Sequence, residues 1–311
     1  MAHVDNEWVR ISKNIMENGW DQDPSTVRAR YKSDNLPAPT RYLIGDTIVF
    51  QPDQIASLQV KNINPEKPLE EIFWIMIDKT SDISALHARG VHFWDDWVID
   101  EGEWKGTIGP AYGYQVGLKS RKFPLKYINW KLMKPNFDYT PQMNLLDDTI
   151  MLDQMDFLIQ SLINSPFGRR HIISLWNVEM LDKMKLEPCV WNTEWHVGGD
   201  RRLYLEVRAR SNDIGLGNPF NMMQYQFLQH TIAQIIGLEP GVMRYNMGNI
   251  HIYDRHFDGV NRMIKNLETV DTTETKLIIN PDLKNLYEAT VDDYRLENYN
   301  PLEKIKLEIA V

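Results

Sequence analysis

Leu203-Tyr-Leu-Glu-Val-Arg-Ala-Arg210-Ser-Asn-Asp-Ile-Gly-Leu-Gly217-Asn-Pro-Phe-Asn221 joins two different periodicities in one run. Leu203, Leu205, Val207 and Ala209 alternate with Tyr204, Glu206, Arg208 and Arg210, the period of a strand with one buried face. Beyond it Phe220, Met222, Met223, Phe227, Leu228, Ile232, Ile235 and Ile236 outline a long helix, apolar on much of its circumference and stopping at Gly237. Asn218 is the expected N-cap of that helix and Pro219 its first residue. The connection gathers Arg210, Ser211, Asp213 and Asn221 at a strand-to-helix turn. Taken alone, the string reads as a capped turn with a surface arginine. It also has the makings of an anion site, with Arg210 and Ser211 on a phosphate and Asn221 facing the ligand.

Outward from this unit, residues 6–18 have helical spacing with Gly19 as the stop, and Asp34 to Pro39 is a turn-rich connector. Thr47-Ile-Val-Phe reads as a short strand, and residues 68–78 as a helix with Pro68 in its first turn. The stretch near 118–147 is rich in Lys, Pro, Asn and aromatics without a clear period, and reads as an insertion-like excursion. Helical pattern resumes at 149–163, and Tyr245 to Tyr253 reads as a strand broken by Gly248. Strands and helices mix without a βαβ rhythm or a repeat, so the expected class is α+β, in a single catalytic domain spanning 1–311.

Composition narrows the function. With 43% hydrophobic residues the chain can build a sizeable core, yet no segment approaches the apolar length of a membrane span. The start lacks a basic region followed by an apolar run, and a lone cysteine excludes internal disulfides and Cys-based zinc sites. A cytoplasmic protein is expected. A net charge of −9 argues against broad nucleic-acid binding, but leaves room for a few arginines converging on a small anion. The lone cysteine, Cys189, sits in Leu186-Glu-Pro-Cys-Val-Trp-Asn between Arg169-Arg170 and Arg210. A lone cysteine is most often a small buried hydrophobe; flanking positive charge is what would make it a nucleophile.

Further strings tip that balance: Glu71-Ile-Phe-Trp, Trp94-Asp-Asp-Trp97, Gly109-Pro-Ala-Tyr-Gly-Tyr-Gln115, Arg169-Arg170-His with Trp176-Asn177, Pro188-Cys189, and Gly248-Asn-Ile-His-Ile-Tyr253. Together with Arg210-Ser-Asn-Asp and Gly217-Asn-Pro-Phe-Asn221, they resemble the thymidylate synthase family in order and spacing. Arg-Ser-Asn-Asp and the terminal Val are similar to the Bacillus-type members and their phage relatives. The resemblance implies a mixed twisted sheet that forms a dimer interface, with helices on its other face. It also implies two small-molecule substrates, dUMP and 5,10-methylenetetrahydrofolate, and no metal.

The roles that the resemblance implies match what these residues can do. Cys189 would add to C6 of the pyrimidine, and Arg210 would contact the phosphate and favour the thiolate. Arg28 and Ser211 would share the phosphate, joined by Arg169 and Arg170 from the other subunit of a homodimer. Asn221 would read the uracil edge, and His251 and Tyr253 the deoxyribose hydroxyl. Glu71 would relay protons and Tyr112 would position the water that takes the C5 proton. Trp94, Trp97, Asp213 and Gly217 would hold the folate, and Val311 would end a tail closing over the complex. Without the family, Trp94 and Trp97 would be core, Glu70 and Glu71 a solvated first turn, and His251 a satisfied core histidine.

The chain departs from the common family pattern at Val190, Glu194 and Asn249, and in the long 118–147 segment. Asn249 bears most on function, because a pyrimidine hydroxymethylase of the same superfamily also lacks the usual Asp there. That enzyme type adds water to the exocyclic methylene where the synthase delivers hydride. Trp94 and the apolar tail favour hydride transfer by excluding water. A drifted, RNA-binding member is the weakest reading, since every residue of the site is present and the charge is negative.

Overall fold

In a computed structural model, which describes residues 3–271 and 273–311, helix α1 (His3–Asn18) comes first and ends at Gly19 as its spacing predicts. Strands β1 (Trp20–Asp21) and β2 (Thr40–Phe50) follow, then α2 (Glu66–Phe73). The helix predicted over 68–78 is α2 continued by a π-helical turn, Trp74–Asp78, that ends at Lys79 in the left-handed region (φ 56°). Helices α3 (Ile83–Ala88) and α4 (Gly113–Gly117) complete the first half.

The excursion is ordered. Strands β3 (Arg121–Pro124), β4 (Met143–Asn144) and β5 (Thr149–Leu152) form an antiparallel sheet in the order β3-β5-β4. Phe123, Ile128, Met133, Tyr139, Ile150 and Leu152 give it a small core of its own. Residues 149–152 therefore close this sheet as a strand, and helix α5 begins only at Gln154 (Gln154–Asn164), capped by Asp153. The Thr-Ile-Met-Leu run suits either state, and pairing with β3 decides for the strand.

The larger sheet adds β6 (Ile172–Ser174), β7 (Val190–Val197), β8 (Arg202–Asp213) and, after α6 (Gly217–Ile235), β9 (Glu239–Tyr253). Its order is β1-β2-β9-β8-β7-β6; the β8–β9 pair is parallel and the others are antiparallel. Helix α7 (Phe257–Asn266) and the hairpin pair β10 (Lys276–Ile279) and β11 (Tyr294–Glu297) follow. The class is α+β, as expected.

The unit around Arg210 differs from its sequence reading in three ways. β8, α6 and β9 form a βαβ unit, which stands alone and so leaves no rhythm to detect. Gly248 does not break β9: its Cα lies so close to β8 that a Cβ would stand 2.8 Å from the Arg210 carbonyl oxygen. Asn218 is not the N-cap but a buried residue inside α6, whose N-cap position, Leu216, carries no side-chain cap; Asp213 instead accepts from the Gly215 and Leu216 amides of the turn before the helix (2.9 and 3.2 Å). Arg210, Ser211 and Asp213 thus belong to the strand rather than the turn. Gly237, in the left-handed region (φ 73°), ends the helix as predicted.

Leu203, Leu205, Val207 and Ala209 turn inward against α6, while the opposite face carries ion pairs, Arg208 with Glu194 (2.7 Å) and Arg244 with Glu206 (3.0 Å). Each fully buried apolar side chain, among them Ile11, Phe50 and Phe227, contributes about 1.5–3 kcal/mol. Trp8 donates its indole N–H to the Ile214 carbonyl (2.8 Å), tying α1 to the β8–α6 turn.

Candidate active site

Because β8 and β9 run parallel, their C-terminal ends emerge on the same edge of the sheet, and the antiparallel β7 begins beside them. Cys189 lies one residue before β7, and the Arg210 amide donates to its carbonyl (2.9 Å). The Arg210 guanidinium donates to the Pro188 and Glu187 carbonyls (3.0 and 2.8 Å) and stacks on Trp176 at 5.4 Å. Arg210 thus braces the backbone that presents the sulfur. Burial pushes the Cys189 thiol up, against the pull of the Arg210 charge and of a hydrogen bond with Tyr112. The Arg210 charge pulls toward the thiolate, and burial outweighs it.

A second group lies against the first. The Tyr112 hydroxyl accepts from the Cys189 amide (3.0 Å), and Tyr112 packs edge-on against Trp94 at 5.3 Å. The Trp94 indole donates to one Glu71 oxygen (2.6 Å), and Gln224 of α6 donates to the other (2.5 Å). Asn221 in turn donates to the Gln224 side-chain oxygen (3.0 Å). Glu71 is buried, and that burial pushes its pKa up to about 7 despite both hydrogen bonds. The solvated-turn alternative therefore fails for Glu71, while Glu70 is only partly exposed and pairs with Arg89 (2.7 Å). Trp94 is buried and Trp97, half-buried, meets it edge-on at 5.6 Å.

The parallel register sets Ser211 beside Asn249 and Asp213 beside His251. The His251 Nδ1–H donates to the Asn249 side-chain oxygen (2.9 Å), and burial holds the ring neutral, leaving Nε2 as an acceptor. Tyr253 lies against His251 at 5.4 Å, and burial raises its phenol. Lys61, donating to the Gly215 carbonyl (2.9 Å), is brought down to about 8 by burial, offset in part by Asp213. Gly217 opens α6, and a Cβ there would stand 3.7 Å from the Asn221 oxygen.

Three further arginines are exposed, and of these Arg28 is near enough to Tyr253 for its charge to pull that phenol down against burial. Arg28 is exposed in the segment between β1 and β2, and Arg169 and Arg170 are exposed before β6 without an acidic partner among the described residues. The tail is docked: the Val311 amide donates to the Arg30 carbonyl (2.8 Å) and the Arg30 amide to the Val311 carbonyl (2.7 Å).

A family model described as thymidylate synthase matches residues 6–311. The chain belongs to the thymidylate synthase family. A thymidylate synthase of Bacillus licheniformis is 38% identical over 311 residues, covering 100% of both chains. One from Bacillus phage phi3T is 37% identical with the same coverage. The solved thermostable thymidylate synthase A of Bacillus subtilis has a TM-score of 0.83 at 37% identity, covering 99% of each chain. The motif resemblance and the α+β fold are both borne out.

Within this member of the thymidylate synthase family, Gln224 and Lys61 escaped sequence reading. Gln224 stands three residues after Asn221 on the same helical face, a spacing that could have flagged it. Lys61 gave no sign, since its burial follows from a loop path. Among the described residues no helix is long and apolar enough to cross a membrane.

Proposed function

We propose that the chain catalyses the reductive methylation of dUMP to dTMP, with 5,10-methylenetetrahydrofolate as carbon and hydride donor. The observation that carries this reading is the buried Glu71 carboxyl, titrating near 7 between Trp94 and Gln224 and linked through Tyr112 to Cys189. Such a group can give and take protons near neutrality, which C5 deprotonation and folate departure both need.

In this reading Cys189 attacks C6 and C5 becomes the carbon nucleophile. Nucleotide binding must then bring the thiol to the thiolate, with Arg210 beside it turning from the Glu187 and Pro188 carbonyls toward the phosphate. Arg28 and Ser211 share the phosphate, and Asn221 reads O4 and N3 of uracil. The Nε2 of His251 accepts from the deoxyribose hydroxyl, with Tyr253 beside it. Tyr112 holds the water that takes the C5 proton. Trp94, Trp97, Asp213 and Gly217 seat the folate, and the tail ending at Val311 keeps water out. The chain acts as one catalytic unit in the cytoplasm and as a homodimer; the exposed Arg169 and Arg170 serve the partner's phosphate site, across the ion-paired face of the sheet.

The deciding experiment is mass spectrometry of the nucleotide formed from dUMP and methylenetetrahydrofolate, with the folate product followed in parallel. dTMP with dihydrofolate is expected. 5-Hydroxymethyl-dUMP with tetrahydrofolate would overturn the reading in favour of water addition and direct attention to Asn249 and Glu194.

A further inference from the structure

His87, His92 and Asp95 offer one ligand atom each, all within 4.8 Å of one another, and all three are exposed. Local geometry brings them together. Helix α3 ends at Gly90, which takes the left-handed conformation (φ 67°) while its amide donates to the His87 carbonyl (2.8 Å). The chain then reverses, anchored by the buried Leu86 and Val91, and lays His92 against His87 with ring centroids 4.5 Å apart. The Asp95 amide donates to the His92 carbonyl (3.3 Å), which turns the Asp95 carboxylate back toward both rings. His87 Nε2 lies 2.6 Å from one Asp95 oxygen, and His92 Nδ1 lies 3.7 Å from the other.

Charge makes the group selective. The neighbouring Asp96 is neutralised by Lys32 at 2.7 Å, whereas Asp95 has only the two imidazoles as partners among the described residues. We propose that His87, His92 and Asp95 form a surface site for a borderline divalent transition metal such as Zn2+. Two imidazoles and one carboxylate suit such ions, with water completing the shell. Bonds of about 2.0–2.2 Å to a tetrahedral ion put donors roughly 3.4 Å apart, so small side-chain rotations suffice. A bound ion ties the last turn of α3 to residues 92–97, the segment carrying Trp94 and Trp97. The site supplies no catalytic group, and its existence does not depend on the reaction assigned above.

The test is isothermal titration of the full chain with Zn2+, beside His87→Ala, His92→Ala and Asp95→Asn, in a non-coordinating buffer. One ion per chain is expected, with affinity falling at least about tenfold in each variant while the circular dichroism is unchanged. Co2+ should give a visible spectrum of nitrogen and oxygen ligands, without the charge-transfer band of a thiolate such as Cys189. Absence of binding, affinity unchanged in the variants, or a thiolate band would overturn the site.

Discussion

Glu71 shows how one residue acquires its chemistry from surroundings that lie far from it in sequence. Its oxygens accept from Trp94 and Gln224, and burial lifts its pKa from 4.5 to about 7. A carboxyl raised in this way stabilises the fold most below 4.5, and that stability is lost as pH rises through about 7. Relative to Glu71→Gln, the native chain should therefore lose on the order of 3 kcal/mol between pH 4.5 and pH 8, measurable by denaturant titration. In the same variant kcat should drop about 10²–10⁴-fold, and the limb of its pH profile near 7 should vanish. An unaltered limb would remove Glu71 from proton transfer. Asn221 allows a separate test. An aspartate there inverts part of the donor and acceptor pattern, so Asn221→Asp should reduce the preference for dUMP over dCMP by at least about tenfold in competition assays.

At the scale of elements, the C-terminal tail is held at several points. Ile305 is buried, the His256 ring pairs with the Glu308 carbonyl (2.6 Å), Arg255 pairs with the Glu308 carboxylate (3.0 Å), and Val311 exchanges both backbone bonds with Arg30. Arg30 lies two residues from Arg28, so these bonds tie the tail to the segment between β1 and β2. Removing Val311 deletes only two exposed hydrogen bonds, and the melting temperature should change by less than about 3 °C. The loss of closure should nonetheless lower kcat about a hundredfold. Steady-state kinetics beside thermal melts separate the two effects; equal activity would deny the tail a role in closure.

Across the whole molecule, the excursion is joined to the main body by buried charge. Lys79, at the end of the π-helical turn, reaches Asp153 (2.7 Å), Asp156 (3.2 Å) and the Tyr287 hydroxyl (2.6 Å). Lys119 adds a contact to Asp153 (2.6 Å), and Tyr139 of the small core reaches Asp156 (3.3 Å). Burial works to raise Asp153, yet the two lysines hold it below the usual carboxylate range; Asp156 is raised, chiefly by burial. Lys79→Met would leave two buried carboxylates with Lys119 alone, costing about 3–5 kcal/mol. Thermal melts should show that loss, and proteolysis should reach residues 118–152 sooner than in the native chain. An unchanged melt would mean that the small core attaches by packing alone.

Much of this was legible in advance. The alternation of β8, the apolar circumference of α6, and the stops at Gly19 and Gly237 are local patterns, and local steric and hydrophobic rules settle them. Motif order carried the family, because its strings recur along this chain in a consistent order and spacing. Residues 149–152 and Gly248 misled for one reason: strand pairing and close backbone approach depend on partners remote in the chain.

The sequence by itself determined the family, the α+β class and the list of chemical groups. Only the tertiary structure decided their electrostatics and contacts. It gave Glu71 its raised pKa and set burial above the Arg210 charge at Cys189. It also placed Asn218 inside α6 rather than at its N-cap, recruited Gln224, and closed the 118–147 excursion into a sheet with its own core. Composition and spacing specify which groups a chain possesses. How strongly each is desolvated, and which neighbour satisfies it, depends on packing between segments far apart in the chain.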